Sequence, residues 1–156
     1  MPLMPVAEAL QRVLADARAL APETVALDAT LGRVLTEDLN ALRTQPPAAV
    51  SAMDGYAVRA ADVVQAPVSL ALIGEVAAGH PFDGEVKAGQ AARIFTGGVM
   101  PAGADTVIIQ ELTARDGDKV TIQKATAKGR NVRDRGIDLR KASRCCAKAA
   151  VSPTAT

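Results

Sequence analysis

Near the middle of the chain, residues 68–76 read Val-Ser-Leu-Ala-Leu-Ile-Gly-Glu-Val, a short alternating run that predicts a β-strand. Three similar runs follow, at residues 91–95, 106–109 and 119–123. Turn-forming sequences such as Asp83-Gly84 and Asp116-Gly117 separate them. Several short strands at close spacing are typical of a small β-barrel or coiled sheet. We expect this β-unit to cover residues 45–127.

The residues before this unit have a helical period instead. Six apolar residues lie three or four positions apart: Val6, Leu10, Val13, Leu14, Ala17 and Leu20. This spacing predicts an amphipathic helix over residues 4–20. Residues 23–27 alternate like a short strand, and Asp28 is placed to cap a second short helix that reaches Leu35. A loop over residues 44–51 with a Pro-Pro pair separates the two patterns.

Composition excludes several classes of protein. The 156 residues carry 18 basic and 17 acidic side chains, and only 2% are aromatic. This balance argues against nucleic-acid binding. The sequence has no run of 18 apolar residues, so we predict no membrane-spanning helix. Charged residues such as Glu8 and Arg12 within the N-terminal apolar pattern argue against a signal peptide. The adjacent Cys145 and Cys146 offer no disulfide framework, which fits a cytoplasmic protein.

The first cluster with chemical potential is Ser-Ala-Met-Asp-Gly-Tyr-Ala-Val at residues 51–58. Asp54 stands beside a glycine directly after the proline loop. Its carboxylate either projects free from a tight turn, where it could serve a reaction, or bonds its own backbone as a turn former. Local sequence favours the turn former.

The second cluster is a predicted strand that runs into a glycine-rich loop, at residues 93–105. Gly97 and Gly98 allow positive φ, so that successive backbone N–H groups could converge on an anion, and Thr96 adds a hydroxyl. The loop lacks the Gly-Lys-Ser/Thr of a Walker motif, and no helical pattern follows as in a dinucleotide site. A plain hairpin connection is the alternative.

The third cluster is rich in charge, with three arginines within six residues in the segment 128–138. Arg130 and Arg133 could bind phosphate or carboxylate groups through their planar forks. Alternating Arg and Asp residues fit a solvated surface network equally well. The one histidine, His80, has no cysteine or second histidine near it in sequence, so we predict no metal site.

These three clusters, in this order and spacing, resemble the MoeA family of molybdopterin molybdenumtransferases, which includes the gephyrin C-terminal domain. The resemblance covers about residues 4–140. It implies an α+β, mainly β fold: an elongated, discontinuous helix-plus-sheet domain (residues 1–44 and 128–141) with an inserted small β-barrel domain (45–127). Family members are homodimers whose further domains bind molybdate and Mg²⁺, and we expect those sites to be absent from this chain.

The resemblance also implies a reaction and site residues. The family transfers molybdate onto the dithiolene of adenylylated molybdopterin, in molybdenum cofactor biosynthesis. Asp54, Thr96 and Asp138 match positions that line or support the catalytic cleft. Gly97, Gly98, Arg130 and Arg133 are candidate substrate-binding residues, because the substrates are anionic. Two alternatives stay open: a non-catalytic dimerisation or scaffold module, and an unrelated barrel that binds a small anion.

The resemblance ends near Lys141, where a family member would continue with a strand and a glycine turn. Residues 142–149 read Ala-Ser-Arg-Cys-Cys-Ala-Lys-Ala instead. With suitable codons, one restored base converts this text to Gly-Glu-Pro-Leu-Leu-Arg-Lys-Gly. We therefore expect residues 142–156 to be a frame-shifted, disordered tail on a truncated chain, and the gene to continue into a molybdate-binding domain in the restored frame.

Overall fold

The computed structural model of the chain describes residues 4–18 and 20–148, and in them the fold is mainly β. It holds one α-helix, α1 (Val6–Leu14), and short 3-10 helices at Leu27–Ala29, Ala60–Val63 and Gln110–Leu112. The strands are β1 (Leu39–Asn40), β2 (Val50–Ser51), β3 (Gly55–Val58), β4 (Val68–Val76), β5 (Gln90–Ile94), β6 (Thr106–Ile109), β7 (Thr113–Asp116), β8 (Lys119–Ile122), β9 (Val132–Arg133) and β10 (Arg144–Cys146).

Six of these strands form a curled sheet in the order β6-β3-β5-β4-β8-β7. Neighbours are antiparallel except β4 and β5, which are parallel. The pairing of β4 with β5 shifts register between Leu72 and Glu75, an irregularity of the kind that bends a strand. The predicted strands at 68–76 and 106–109 are confirmed, and those at 91–95 and 119–123 differ from β5 and β8 by one residue at their ends.

Apolar side chains pack on both faces of the sheet. Along β3, Tyr56 and Val58 belong to one buried cluster with Leu70 and Ile108, whereas Ala57 between them belongs to a second cluster with Ile94. Successive residues of a strand point to opposite faces, so a strand that is buried on both sides reads as a continuous apolar run. The turn at the start of β3 is therefore anchored by a strand with all four residues buried.

The N-terminal elements are shorter than predicted. The helix ends at Leu14 rather than near residue 20, with i→i+3 bonds from Ala15 N–H to Arg12 O (3.4 Å) and from Ala17 N–H to Leu14 O (3.1 Å). Its apolar stripe is exposed, with Leu10 at 57%, so packing adds little to extend it. None of the helical segments in the described residues has the length and apolar character that a bilayer crossing requires.

The predicted strand at 23–27 and helix at 28–35 are both wrong. The described backbone there has no regular secondary structure up to a single 3-10 turn, Leu27–Ala29, in which Asp28 lies inside the turn instead of capping it. Gly32 follows with φ of +76°, a left-handed conformation that is incompatible with a continuing helix.

The chain divides into two compact units, one made from its two ends, up to Leu39 and from Cys146 onward, and the other from Asn40–Cys145. These units do not coincide with the domain boundaries predicted from sequence, which stay a prediction. Residues 142–156 were expected to form a disordered tail, but Arg144–Cys146 within this segment forms strand β10, which pairs with β1. All three residues of β10 are exposed. Residues 149–156 lie outside the described residues.

Candidate functional site

The three sequence clusters meet at Ser51 and Ala52. Ser51 N–H donates to the Gly98 carbonyl (2.9 Å), and the Ser51 carbonyl accepts from Gly97 N–H (2.9 Å). Ala52 N–H donates to the carbonyl of Asn131 (2.9 Å), in the third cluster. Strands β2 and β9 pair alongside, with Val50 opposite Arg133. Segments far apart in sequence are thus joined by main-chain hydrogen bonds into one site.

A tight turn between β2 and β3 sets the position of Asp54. The buried Ser51 hydroxyl donates to the Met53 carbonyl (2.5 Å) and accepts from Met53 N–H (3.2 Å), which folds the chain back on itself. Gly55 then begins β3 so close to β6 that a Cβ there would lie 1.9 Å from the Ile108 carbonyl oxygen. Only glycine fits at this position, and Asp54 is left exposed at the strand end.

The Asp54 carboxylate bonds Thr96, 42 residues further along the chain. Its Oδ1 atom accepts from both Thr96 N–H (2.8 Å) and Thr96 Oγ1 (2.8 Å). The favoured expectation, that Asp54 bonds only its own backbone as a turn former, is therefore wrong: its partner comes from the second cluster. The structure brings together two of the three residues that were assigned to the cleft.

These bonds favour the ionised form of Asp54. The pKa of Asp54 lies below its ordinary value because Thr96 donates first its backbone N–H and second its hydroxyl to the carboxylate. Partial desolvation opposes this change, and the positive charge of Arg93 adds to it. A carboxylate of lowered pKa is a poor proton donor near pH 7, so the pair is suited to accepting hydrogen bonds.

The loop after β5 does not offer the expected backbone anion cradle. Thr96 N–H is bound to Asp54, Gly97 N–H to the Ser51 carbonyl, and Gly98 N–H to the Phe95 carbonyl (2.8 Å). Gly97 does adopt the anticipated positive φ, at +81°. Since all three donors already have acceptors, Gly97 and Gly98 shape the loop and present no free N–H group for an anion.

Arg133 and Asp138 form a pair of their own. Arg133 Nη2 donates to both carboxylate oxygens of Asp138, at 2.7 and 2.8 Å, and both side chains are about half exposed. Among residues 4–18 and 20–148, no hydrogen bond or ion pair joins them to Asp54 or Thr96. The structure thus places the third predicted cleft residue with an arginine of its own cluster.

Arg130 lies beside a shallow groove of about 470 Å³. Apolar side chains (Met53, Ile109, Leu112) and the cation Lys124 line the same groove. Within the described part of the chain, no hydrogen bond or ion pair engages the Arg130 guanidinium. Of the predicted substrate-binding residues, Arg130 is thus the one whose guanidinium N–H groups have no acceptor among the described residues.

Sequence reasoning missed Arg93 and Asp105. Arg93, on β5, donates to the Gly55 carbonyl and to Gln110 Oε1. Asp105 Oδ1 accepts from Ala60 N–H (2.7 Å), and although burial raises the pKa of Asp105, this bond and others lower it overall. Both residues stood inside the second cluster, but their partners lie far away in sequence, and no local pattern identifies such partners.

Similarity to known proteins was found along almost the whole chain. The profile of a family described as "MoeA N-terminal region (domain I and II)" matches residues 4–153, past Lys141, where the resemblance was expected to end. A molybdopterin molybdenumtransferase of a Nostoc species is 44% identical over 115 residues, which cover 71% of this chain and 26% of the relative. That of Staphylococcus aureus strain Mu50 is 33% identical over 141 residues, covering 88% and 34%.

Solved structures give the same picture. The crystal structure of the molybdopterin biosynthesis MoeA protein from Pyrococcus horikoshii OT3 superposes with a TM-score of 0.85 at 38% identity. The superposition covers 97% of this chain and 41% of that one. The chain therefore spans about a quarter to two fifths of the length of these relatives.

Proposed function

We propose that this chain, which belongs to the family of MoeA N-terminal regions, supplies part of the site at which a molybdopterin molybdenumtransferase inserts molybdenum into molybdenum cofactor. The names of the relatives and the similarity over residues 4–153 support a role in this biosynthesis. Membership in this family argues against an unrelated barrel that binds a small anion.

The observation that carries the proposal is the Asp54–Thr96 pair at the junction of the three clusters. Thr96 gives both its N–H and its hydroxyl proton to Asp54, so the pair presents acceptor lone pairs and negative charge to a ligand. Such a surface repels molybdate and phosphate groups. We therefore assign the pair to a donor group of the substrate, such as an N–H of the pterin ring.

The anionic parts of the substrate need a cation instead. We assign this role first to Arg130, whose guanidinium is unengaged beside the groove with Lys124. Arg133 is held by Asp138 in a two-bond contact, so Asp138 acts here as the residue that orients Arg133. Gly97 and Gly98 contribute the shape of the Thr96 loop.

Molybdate is a substrate in this proposal, and magnesium would be a bound cofactor of the whole enzyme. In the residues that the structure describes, no group of three or more His, Cys, Asp or Glu side chains is arranged to hold a metal ion. The described residues by themselves therefore offer no cage of three or more such ligands for magnesium, and the proposal assigns no step to the ion.

Substitutions at the pair test the proposal. Asp54→Ala and Thr96→Ala, placed at the matching positions of a full-length relative, should lower molybdenum insertion by roughly tenfold or more. Both variants should stay folded, with at most a modest fall in melting temperature, because each removes an exposed side chain and at least one hydrogen bond of the pair. Asp83→Ala, a change at an exposed loop carboxylate, is the control and should leave turnover intact. Normal turnover of folded Asp54→Ala protein, with a lowered melting temperature, would return Asp54 to a purely structural role.

A second candidate function, the dimerisation module, is favoured by the exposed apolar stripe of α1. Val6, Leu10 and Val13 are 85%, 57% and 76% exposed. We propose that a second copy of the chain covers this stripe. Leu10→Glu should convert a dimer to a monomer in analytical ultracentrifugation, whereas Gln11→Glu, which adds the same charge outside the stripe, should not. A wild-type chain that is monomeric at all concentrations contradicts the proposal.

A further inference from the structure

Arg93 fastens the backbone on which Asp54 stands. Its Nη1 donates to the carbonyl of Gly55 (3.0 Å), the residue after Asp54, and its Nη2 donates to Gln110 Oε1 (2.9 Å). The Gln110 N–H in turn donates to the Asp54 carbonyl (3.1 Å). These three bonds link Arg93, Gln110 and the two consecutive carbonyls at the start of β3, so the peptide that carries the Asp54 side chain has little freedom to rotate.

The same guanidinium also contacts the segment that carries Thr96. Its central carbon lies 4.6 Å from the centre of the Phe95 ring and 5.3 Å from that of Tyr56. A cation at this distance from an aromatic ring is attracted to it. Phe95 directly precedes Thr96, so one side chain holds both halves of the pair, through hydrogen bonds on the Asp54 side and ring contacts on the Thr96 side.

We propose that Arg93 is a positioning residue that holds Asp54 and Thr96 in hydrogen-bonding register for the ligand. The proposal deepens the proposed function, because it treats the pair as part of the binding site. It assigns Arg93 no contact with substrate, since each terminal nitrogen already bonds a protein acceptor and the guanidinium lies close to two aromatic rings.

The electrostatics of the pair agree with this role. The pKa of Asp54 is lowered first by the two bonds from Thr96 and then, against partial desolvation, by the charge of Arg93. Arg93 therefore acts on Asp54 in two ways: directly through its charge, and indirectly by keeping Thr96 within bonding distance. The two routes can be separated, because only the indirect route requires the Thr96 hydroxyl or amide.

The first test follows the side chain of Asp54 and the amide of Thr96 in the 156-residue chain by NMR. Arg93→Met should raise the pKa of the Asp54 carboxyl and speed hydrogen exchange at the Thr96 amide by about tenfold. Arg115→Met, which removes an exposed arginine on β7, is the matched control and should change neither. A folded Arg93→Met protein with both values unchanged overturns the proposal.

The second test separates positioning from charge. In a Thr96→Ala background, Arg93→Met should raise the pKa of Asp54 by clearly less than in the wild type. Thr96→Ala removes the hydroxyl bond but keeps the amide bond to Asp54. An equal rise in both backgrounds, together with unchanged hydrogen exchange at the amide of residue 96, would mean that Arg93 acts by charge alone, and the proposal fails. If Arg93→Met does not fold, Arg93→Lys replaces it: the cation stays but the planar fork is lost. Thr96 exchange should still accelerate, and wild-type exchange in that variant overturns the proposal.

These readouts are independent of catalysis. The proposed function fails if Asp54→Ala in the full-length relative keeps normal turnover. In that case the pKa and exchange changes of the Arg93 variants would still be measurable. The opposite result is also distinguishable. If Asp54→Ala loses turnover but the Arg93 variants keep the wild-type pKa of Asp54 and the wild-type exchange at Thr96, only the role of Arg93 is rejected.

Discussion

Asp54 accepts from both hydrogen-bond donors of Thr96, and this determines what the pair can bind. One carboxylate oxygen receives both donors of Thr96. What faces a ligand is acceptor capacity and negative charge, which suits N–H or O–H groups and disfavours oxyanions. The chemistry that is available at this point therefore follows from which donors are already engaged, rather than from the residue types alone.

A pH dependence of stability follows from the same bonds. A carboxyl group whose pKa is lower in the folded than in the unfolded chain stabilises the fold above the unfolded pKa, and this contribution is lost as the pH falls through the folded pKa. Asp54 and Asp105 both have lowered pKa values. We expect the free energy of unfolding, measured with urea, to decrease as the pH falls below about 4.

Asp54→Asn tests the contribution of this one group. The variant should be less stable than the wild type at pH 7, where the lost charge matters, and the difference should shrink towards pH 3. Asp83→Asn, at an exposed loop carboxylate, should follow the wild-type curve. An Asp54→Asn curve that runs parallel to the wild type through the acid range would show that Asp54 does not contribute.

Strand β3 is the element on which the site depends. It is the neighbour of both β5 and β6, and all four of its residues are buried. Its first residue, Gly55, adjoins the Asp54 turn and packs against the backbone of β6. The turn is exposed, but it ends at a closely packed backbone position of the sheet, and the Asp54 side chain that it carries is held by Thr96.

Gly55→Ala measures this constraint. The added Cβ would lie 1.9 Å from the Ile108 carbonyl oxygen, so β3 and β6 must separate. We expect a loss of about 2 to 4 kcal/mol in the free energy of unfolding, by chemical denaturation. Gly79→Ala is the control, because Gly79 has positive φ but open space around it. It should cost only about 1 kcal/mol, and an equal loss in both variants would contradict the close approach.

For the whole molecule, we expect a polypeptide of residues 1–156 by itself to have no molybdenum-insertion activity. Its described residues hold no cluster of metal ligands, and preorganised groups on part of a cleft do not surround the substrate. The purified polypeptide is assayed with adenylylated molybdopterin, molybdate and magnesium. A full-length relative is the positive control, and turnover of residues 1–156 above the protein-free background would contradict the expectation.

Prediction from sequence succeeded where the pattern is local and repeated. The alternation at 68–76 and 106–109 identified two strands, because a strand with packed faces leaves a direct trace in its residues. It failed at 28–35, where Gly32 turns the chain by its positive φ, and at β3, whose Asp-Gly start resembles a turn. At the site, sequence selected Asp54 and Thr96 individually but assigned Asp54 a local partner.

The sequence by itself determined the mainly β character, the three clusters and, through their order and spacing, the family. These are properties of neighbouring residues, and a chain carries them whether or not it is folded. Only the tertiary structure decided that Thr96 binds Asp54, that the amides of Gly97 and Gly98 are already engaged, and that Arg93 connects both halves of the pair. Hydrogen bonds between residues tens of positions apart depend on how strands pair across the sheet, and no single segment contains that information.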